Sequence, residues 1–267
     1  MDLDHLADEY RLNLAVPTIV EQVEQASGKG IDFRPAPKLQ VRARTKMARQ
    51  KMPQHVILFN PKEQLHLSHL LAHECARILR ILETPPEERK VPASKPETLQ
   101  VARNEIRGEA QFLPDHIRDE MVDLWIHGLI TQVTSQPIDV RIEEWIADNY
   151  PGMGQEQRRS LRTETRTITA NVSPDVKRTS PATIFKRSNA LNYAYLDHIG
   201  DIMGRSFESK FRSSPEIVAL GETICGILDD STVSDHHLVN RIAEAVQVRD
   251  WFIWLDFEDI PKSYDLG

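Results

Sequence analysis

The sequence predicts an α+β fold that is predominantly helical, with a small β-sheet near the front and a helical bundle behind it. Two observations carry that expectation. Three short extended segments fall between residues 31 and 59, and no later stretch has a comparable strand signal. From about residue 98 onward, apolar residues recur at helical spacing between prolines and cap residues. With 267 residues, 40% of them hydrophobic and 27% charged, the chain can bury one sizeable core or two small ones. The expected division is a front domain, 1–172, and a helical domain, 173–267.

The elements follow in order. Leu3, Leu6, Tyr10, Leu14, Ile19, Val20 and Val23 predict helix over 3–26, which Pro17 should break or kink. Ser27-Gly28-Lys29-Gly30 ends it, and strands are expected around 31–34, 39–44 and 56–59, the last closed by Asn60-Pro61. A helix over 62–82 comes next and stops at Thr84-Pro85-Pro86. The segment 83–98, rich in Pro, Glu and Lys, reads as a solvated linker. Helices are then predicted at 98–112, 115–134, 138–149, 154–170, 181–204, 214–229 and 235–248.

Composition narrows the function classes. A net charge of −7 and a pI near 5.8 argue against nucleic acid as the main partner, because phosphate neutralisation needs a basic surface. Cys75 and Cys225 give no disulfide framework and suit a reducing cytoplasm. The start, Met1-Asp2-Leu3-Asp4-His5, lacks the basic and apolar stretches of a signal peptide, and no apolar run approaches a membrane span.

The chemistry-bearing feature is His66-Leu67-Ser68-His69-Leu70-Leu71-Ala72-His73, followed by Glu74-Cys75-Ala76-Arg77. Zinc hydrolases of one large class write His-Glu-x-x-His on a helix: the histidines bind the metal and the glutamate works on the bound water. Here His73 and Glu74 are present and Arg77 stands at the second histidine position. At 100° per residue the helix separates into an apolar arc of Leu67, Leu70, Leu71, Ile78, Leu79, Ile81 and Leu82, and a stripe of His66, His69, His73, Arg77 and Arg80 only about 80° wide. Three readings stay open: a solvated face, a zinc cleft that has lost its metal, or a metal held by His69 and His73 at i and i+4 with a carboxylate. Arginine has five donors and no lone pair, so Arg77 cannot be a ligand. A unit charge about 4 Å from Zn²⁺ costs roughly 8 kcal/mol at an effective dielectric near 20. The rearranged set escapes part of that cost but puts Glu74 on the wrong side of the first ligand for base work. Binding without proteolysis would follow.

Val56-Ile57-Leu58-Phe59-Asn60-Pro61, the spaced leucines and Ala72-His73-Glu74-Cys75 resemble the ImmA/IrrE-like zinc metallopeptidases, small intracellular proteins of bacteria and phages. The resemblance covers roughly residues 35–150 and implies a zincin-like front domain and a protein substrate. It also implies a third ligand on a later helix. Ile138-Asp139-Val140-Arg141-Ile142-Glu143-Glu144-Trp145-Ile146 looks like that helix, and Glu143 is the matching position. Zinc would then be held by His73, His69 and Glu143, with Glu74 as the catalytic carboxylate. Arg77 departs from the family and implies a weakened or inactive peptidase, in which it pairs with Glu143 across the old metal site. Taken alone, Glu143 and Glu144 are also what an exposed acidic helix start looks like. The alternative function is a regulatory or sensor module that holds a protein partner.

The remaining motifs are weaker. Arg158, Arg159, Arg162 and Arg166 form a basic helix face that suits solvent or an acidic partner. Ser234-Asp235-His236-His237 has triad residue types in a spacing that cannot build a triad, so Ser234 reads as a helix N-cap. Cys75 reads as buried filler. The aromatic tail Trp251-Phe252-Ile253-Trp254-Leu255-Asp256-Phe257 should dock on the helical body or serve an oligomer contact.

Overall fold

The computed structural model describes residues 3–260; Met1 and Asp2 of the acidic start lie outside them. The described residues form an α+β, predominantly helical fold with ten α-helices: α1 (Leu3–Tyr10), α2 (Ala15–Ser27), α3 (Leu67–Glu83), α4 (Pro96–Ile106), α5 (Asp115–Asn149), α6 (Gly154–Ala170), α7 (Pro174–Arg178), α8 (Ala182–Met203), α9 (Pro215–Leu228) and α10 (Asp235–Ala245). The strands are β1 (Gly30–Pro35), β2 (Ala43–Lys46), β3 (Gln54–Phe59), β4 (Lys90–Ala93) and β5 (Ile253–Asp256). No described helix is long and apolar enough to cross a membrane.

The chain folds into two compact units. The first takes residues up to Arg89, the segment Arg141–Arg162 and the chain from Asp256 onward. Its sheet has the order β1-β3-β2, with β1 parallel and β2 antiparallel to the central strand. Buried Phe33, Val56, Ile57 and Phe59 on the sheet and Val16, Ile19, Val20 and Val23 on α2 supply its core, and α2 packs along α3. The chain breaks between α1 and α2 earlier than Pro17 suggests. Arg11 adopts φ 52°, and the Asn13 side chain accepts the Ala15 backbone N–H at 3.0 Å where α2 begins. Pro17 falls in the first turn of α2, where a missing N–H costs no helical hydrogen bond. Gly28, at φ 65°, supplies the left-handed residue that ends the helix.

The second unit takes Lys90–Val140 and Thr163–Leu255. It packs α8 against α9, where Tyr193 meets Gly221 so closely that a Cβ there would lie 2.4 Å from the ring.

Three expectations need correction. The break predicted near Pro137 is absent: α5 is one helix with that proline inside it. Thr134 Oγ1 and Ser135 Oγ donate to carbonyls of the preceding turn, at 2.8 Å to Ile130 and 2.7 Å to Thr131, while Val133 and Val140 are buried on either side. Burial holds the helix through its missing hydrogen bond. Second, the linker and the aromatic tail are not free of strand structure, because β4 and β5 pair as a two-stranded sheet. Trp251 and Phe252 are buried beside it, and Trp254 Nε1 donates to Asn240 at 2.8 Å. Third, the histidine helix opens with a 3₁₀ turn over Pro61–His66 and becomes α-helical only at Leu67.

Candidate metal centre

α3 is rolled by its own apolar arc. Leu67, Leu70, Leu71, Ala72, Cys75, Ala76, Ile78 and Leu79 are buried, which turns the stripe of His66, His69, His73 and Arg77 away from the sheet side of the core. The stripe is not a solvated face. His69 is only 2% exposed, and His73 keeps 14% of its side chain accessible. What covers them comes from the second segment of the same unit: Glu143 on α5 and Gln157 on α6. Buried Ile142 and Ile146 set the roll of α5 that aims Glu143 inward. Asn13 ties the parts together, its backbone N–H donating to Ser68 Oγ at 3.0 Å and its amide to Glu156 Oε1 at 3.0 Å.

Glu143 is 1% exposed and is the centre of the group. His69 Nε2 lies 2.9 Å from its Oε2, and His73 Nδ1 lies 2.8 Å from its Oε1. Gln157 Nε2 donates both to Oε2 and to the Glu143 backbone carbonyl, each at 2.8 Å. Burial by itself pushes the Glu143 carboxyl up, but attraction to His69 and hydrogen bonds from His69 and His73 outweigh it and hold the group well below the usual carboxylate range. A desolvated carboxylate is tolerable only when its lone pairs are met in this way.

Arg77 reaches the centre through His73. Its Nη2 lies 3.3 Å from His73 Nε2, and its Nε lies 3.9 Å from Glu74 Oε2. A guanidinium only donates, so this contact needs a lone pair on Nε2. The His73 proton therefore sits on Nδ1 and donates to Glu143. The expected facing of Arg77 and Glu143 is thus bridged by the imidazole of His73. On the other side, His69 Nδ1 is buried with no hydrogen-bond partner.

Ligand atoms of His69, His73 and Glu143 lie within 4.8 Å of one another, close enough to hold a metal ion. Two imidazoles and a carboxylate match, in number and kind, the protein ligands of one class of catalytic zinc site. Each coordinating nitrogen would have to carry its proton on the other ring position. For His69 that proton would meet no acceptor, and a bound zinc histidine usually has one. In the His-Glu-x-x-His arrangement the base follows the first ligand; after His69 that position is Leu70, which is 9% exposed in the apolar arc. Glu74 follows the second ligand and carries its carboxylate beside Arg77.

His66 shares the stripe but not the group: burial, then Arg42, lowers its imidazole from the ordinary value, and its Nδ1 is buried without a partner. Cys75 is fully buried, and burial, then Glu74 and Glu24, pushes its thiol up out of reactive range. Arg158, Arg159, Arg162 and Arg166 are exposed. Ser234 stands at the N-cap of α10, yet its hydroxyl makes no cap bond. His236 instead packs edge-on against Trp254 at 4.6 Å. Gln157 had no signal in the sequence, since an amide 14 positions after a carboxylate belongs to no motif.

No family model, no curated protein and no solved structure matches this chain, so the resemblance to ImmA/IrrE-like peptidases rests on the chain's own residues.

Proposed function

We propose that this protein is metallopeptidase-like, of the ImmA/IrrE type, with zinc held by His69, His73 and Glu143 and with peptide hydrolysis weakened or lost. The observation that carries the reading is the pair of imidazole nitrogens seated on the two oxygens of one buried carboxylate, 2.8 and 2.9 Å away. Zinc bound there would act as a Lewis acid on a water or a peptide carbonyl. The residues argue for binding over turnover, because Leu70 occupies the base position and Arg77 adds positive charge beside the ligands. The partner on this reading is a protein, held at the site and cleaved slowly or not at all.

Elemental analysis of the full chain, stripped with chelator and reloaded with zinc, tests it. About one zinc per chain is expected, with loss in His73→Ala and in Glu143→Ala. A chain that takes up no zinc, and whose unfolding is the same with and without chelator, would favour the second reading, a metal-free regulatory module that binds a protein partner. One observation supports that alternative: the Arg77–His73 contact is satisfied only in a tautomer that offers Glu143 a proton instead of offering a metal a lone pair.

A further inference from the structure

We propose that Arg77 is a displaceable plug on the His69–His73–Glu143 centre, and that Glu74 is the residue that receives it when a divalent metal enters. The inference rests on the metal-site reading above and adds how the site is regulated.

Three observations lead to it. The guanidinium donates to His73 Nε2 at 3.3 Å, which fixes the ring proton on Nδ1, the nitrogen that faces Glu143. A metal on Nδ1 requires that proton on Nε2, where it would point at a second donor. Arg77 must therefore leave before His73 can ligate, and its charge opposes the incoming cation in any case. The exit is already built. Glu74 lies one turn back on the same face of α3, its Oε2 3.9 Å from Arg77 Nε. The guanidinium already touches both the imidazole and that carboxylate, so the plug needs it to give up the first contact and tighten the second. Arg77 is 27% exposed against 12% for Glu74, so the arginine has solvent to swing through while the carboxylate stays fixed. This gives Glu74 a positioning role in place of the base role that its motif position suggests.

The experiment is a zinc competition titration against a chromophoric chelator, using the full chain and its variants Arg77→Ala, Glu74→Gln and the double variant. Imidazole ¹⁵N–¹H spectra of the metal-free proteins are recorded beside it. Arg77→Ala is expected to tighten zinc by about tenfold or more. Glu74→Gln is expected to weaken zinc several-fold, and the double variant to match Arg77→Ala. Metal-free wild type should show His73 as the Nδ1–H tautomer. Equal affinities in wild type and Arg77→Ala, or a double variant weaker than Arg77→Ala, overturn the plug while leaving the metal site standing. An Nε2–H tautomer of His73 overturns it too. Absence of zinc from every variant defeats the metal-site reading itself, and the plug with it. Arg77→Met, which keeps the aliphatic stem, repeats the test if the alanine variant does not fold.

Discussion

Each unit of this protein buries a polar network between helices, and the two are built from different chemistry. In the second unit the members are neutral. Gln132 Nε2 donates to Asn192 Oδ1 at 2.8 Å and to the Ser188 carbonyl at 2.9 Å, Ser188 Oγ donates to Gln132 Oε1 at 2.8 Å, and Gln136 donates to the same Asn192 oxygen at 3.2 Å. In the first unit one carboxylate gathers two imidazoles and an amide. A neutral network loses less on desolvation than a charged one, and its internal hydrogen bonds offset that loss. A buried carboxylate loses several kcal/mol on desolvation, which an apolar replacement would avoid. An apolar side chain at position 143 would avoid that cost, and this asymmetry between the two networks is what the metal-site proposal draws on.

The largest effect should come from removing the centre of the charged network. Glu143→Ala takes the shared acceptor from His69, His73 and one Gln157 N–H, leaving the buried His69 without a partner, and should cost about 3–5 kcal/mol in urea unfolding. A loss below about 1 kcal/mol would mean that the two imidazoles find other acceptors, and the contrast between the networks would collapse.

Acid should also act on the first unit. His55 is fully buried on β3, accepts the Ala48 N–H through Nδ1 at 3.0 Å, and is lowered to about 4 by burial, then by Lys29. Above the unfolded value near 6.5 the ring is neutral in both states, and no stability is lost. As pH falls from about 6.5 to about 4, the unfolded chain takes up a proton that the folded chain refuses, so stability falls by about 3 kcal/mol. His55→Asn keeps an acceptor for Ala48 without titrating. Its unfolding free energy should be flatter across that window, and an unchanged slope would remove His55 as the cause. Glu143 adds to the loss at lower pH, since its folded value is depressed and the unfolded carboxylate protonates first.

Asn192→Leu probes the neutral network. It removes the acceptor shared by Gln132 and Gln136 and should cost about 2 kcal/mol. On the proposed metal-site reading, zinc uptake should not change. A loss of metal from this variant would show that the two networks are energetically coupled.

These networks were legible in the sequence to different degrees. His69 and His73 could be paired from helical spacing alone, because i and i+4 share a face whatever the tertiary structure. Glu143 was reachable only through a resemblance, since no local rule links a carboxylate to histidines 70 positions away. Gln157 was not reachable, because a hydrogen bond to a backbone carbonyl leaves no trace in residue type. The same limit explains the second sheet. Lys90-Val91-Pro92-Ala93 is short and interrupted by proline, and it gains its strand form by pairing with residues 253–256. Pro137 misled for a related reason: the rule that ends a helix at proline is local, and buried contacts on both sides overrode it.

The smallest effect isolates the cost of a single unsatisfied hydroxyl. Ser234 has the residue type and position of an N-cap, for which alanine ordinarily costs about 1 kcal/mol. Its hydroxyl makes no cap bond and is buried without a partner. A buried hydroxyl that is not satisfied in the folded state contributes a desolvation cost and no bond. Ser234→Ala should therefore change stability by less than about 0.5 kcal/mol, or raise it slightly. A cost near the ordinary cap value would mean that the hydroxyl is bonded in solution. The same unfolding series that measures Asn192→Leu reads this out, and both residues lie in the second unit, so a satisfied and an unsatisfied polar group are compared in one setting.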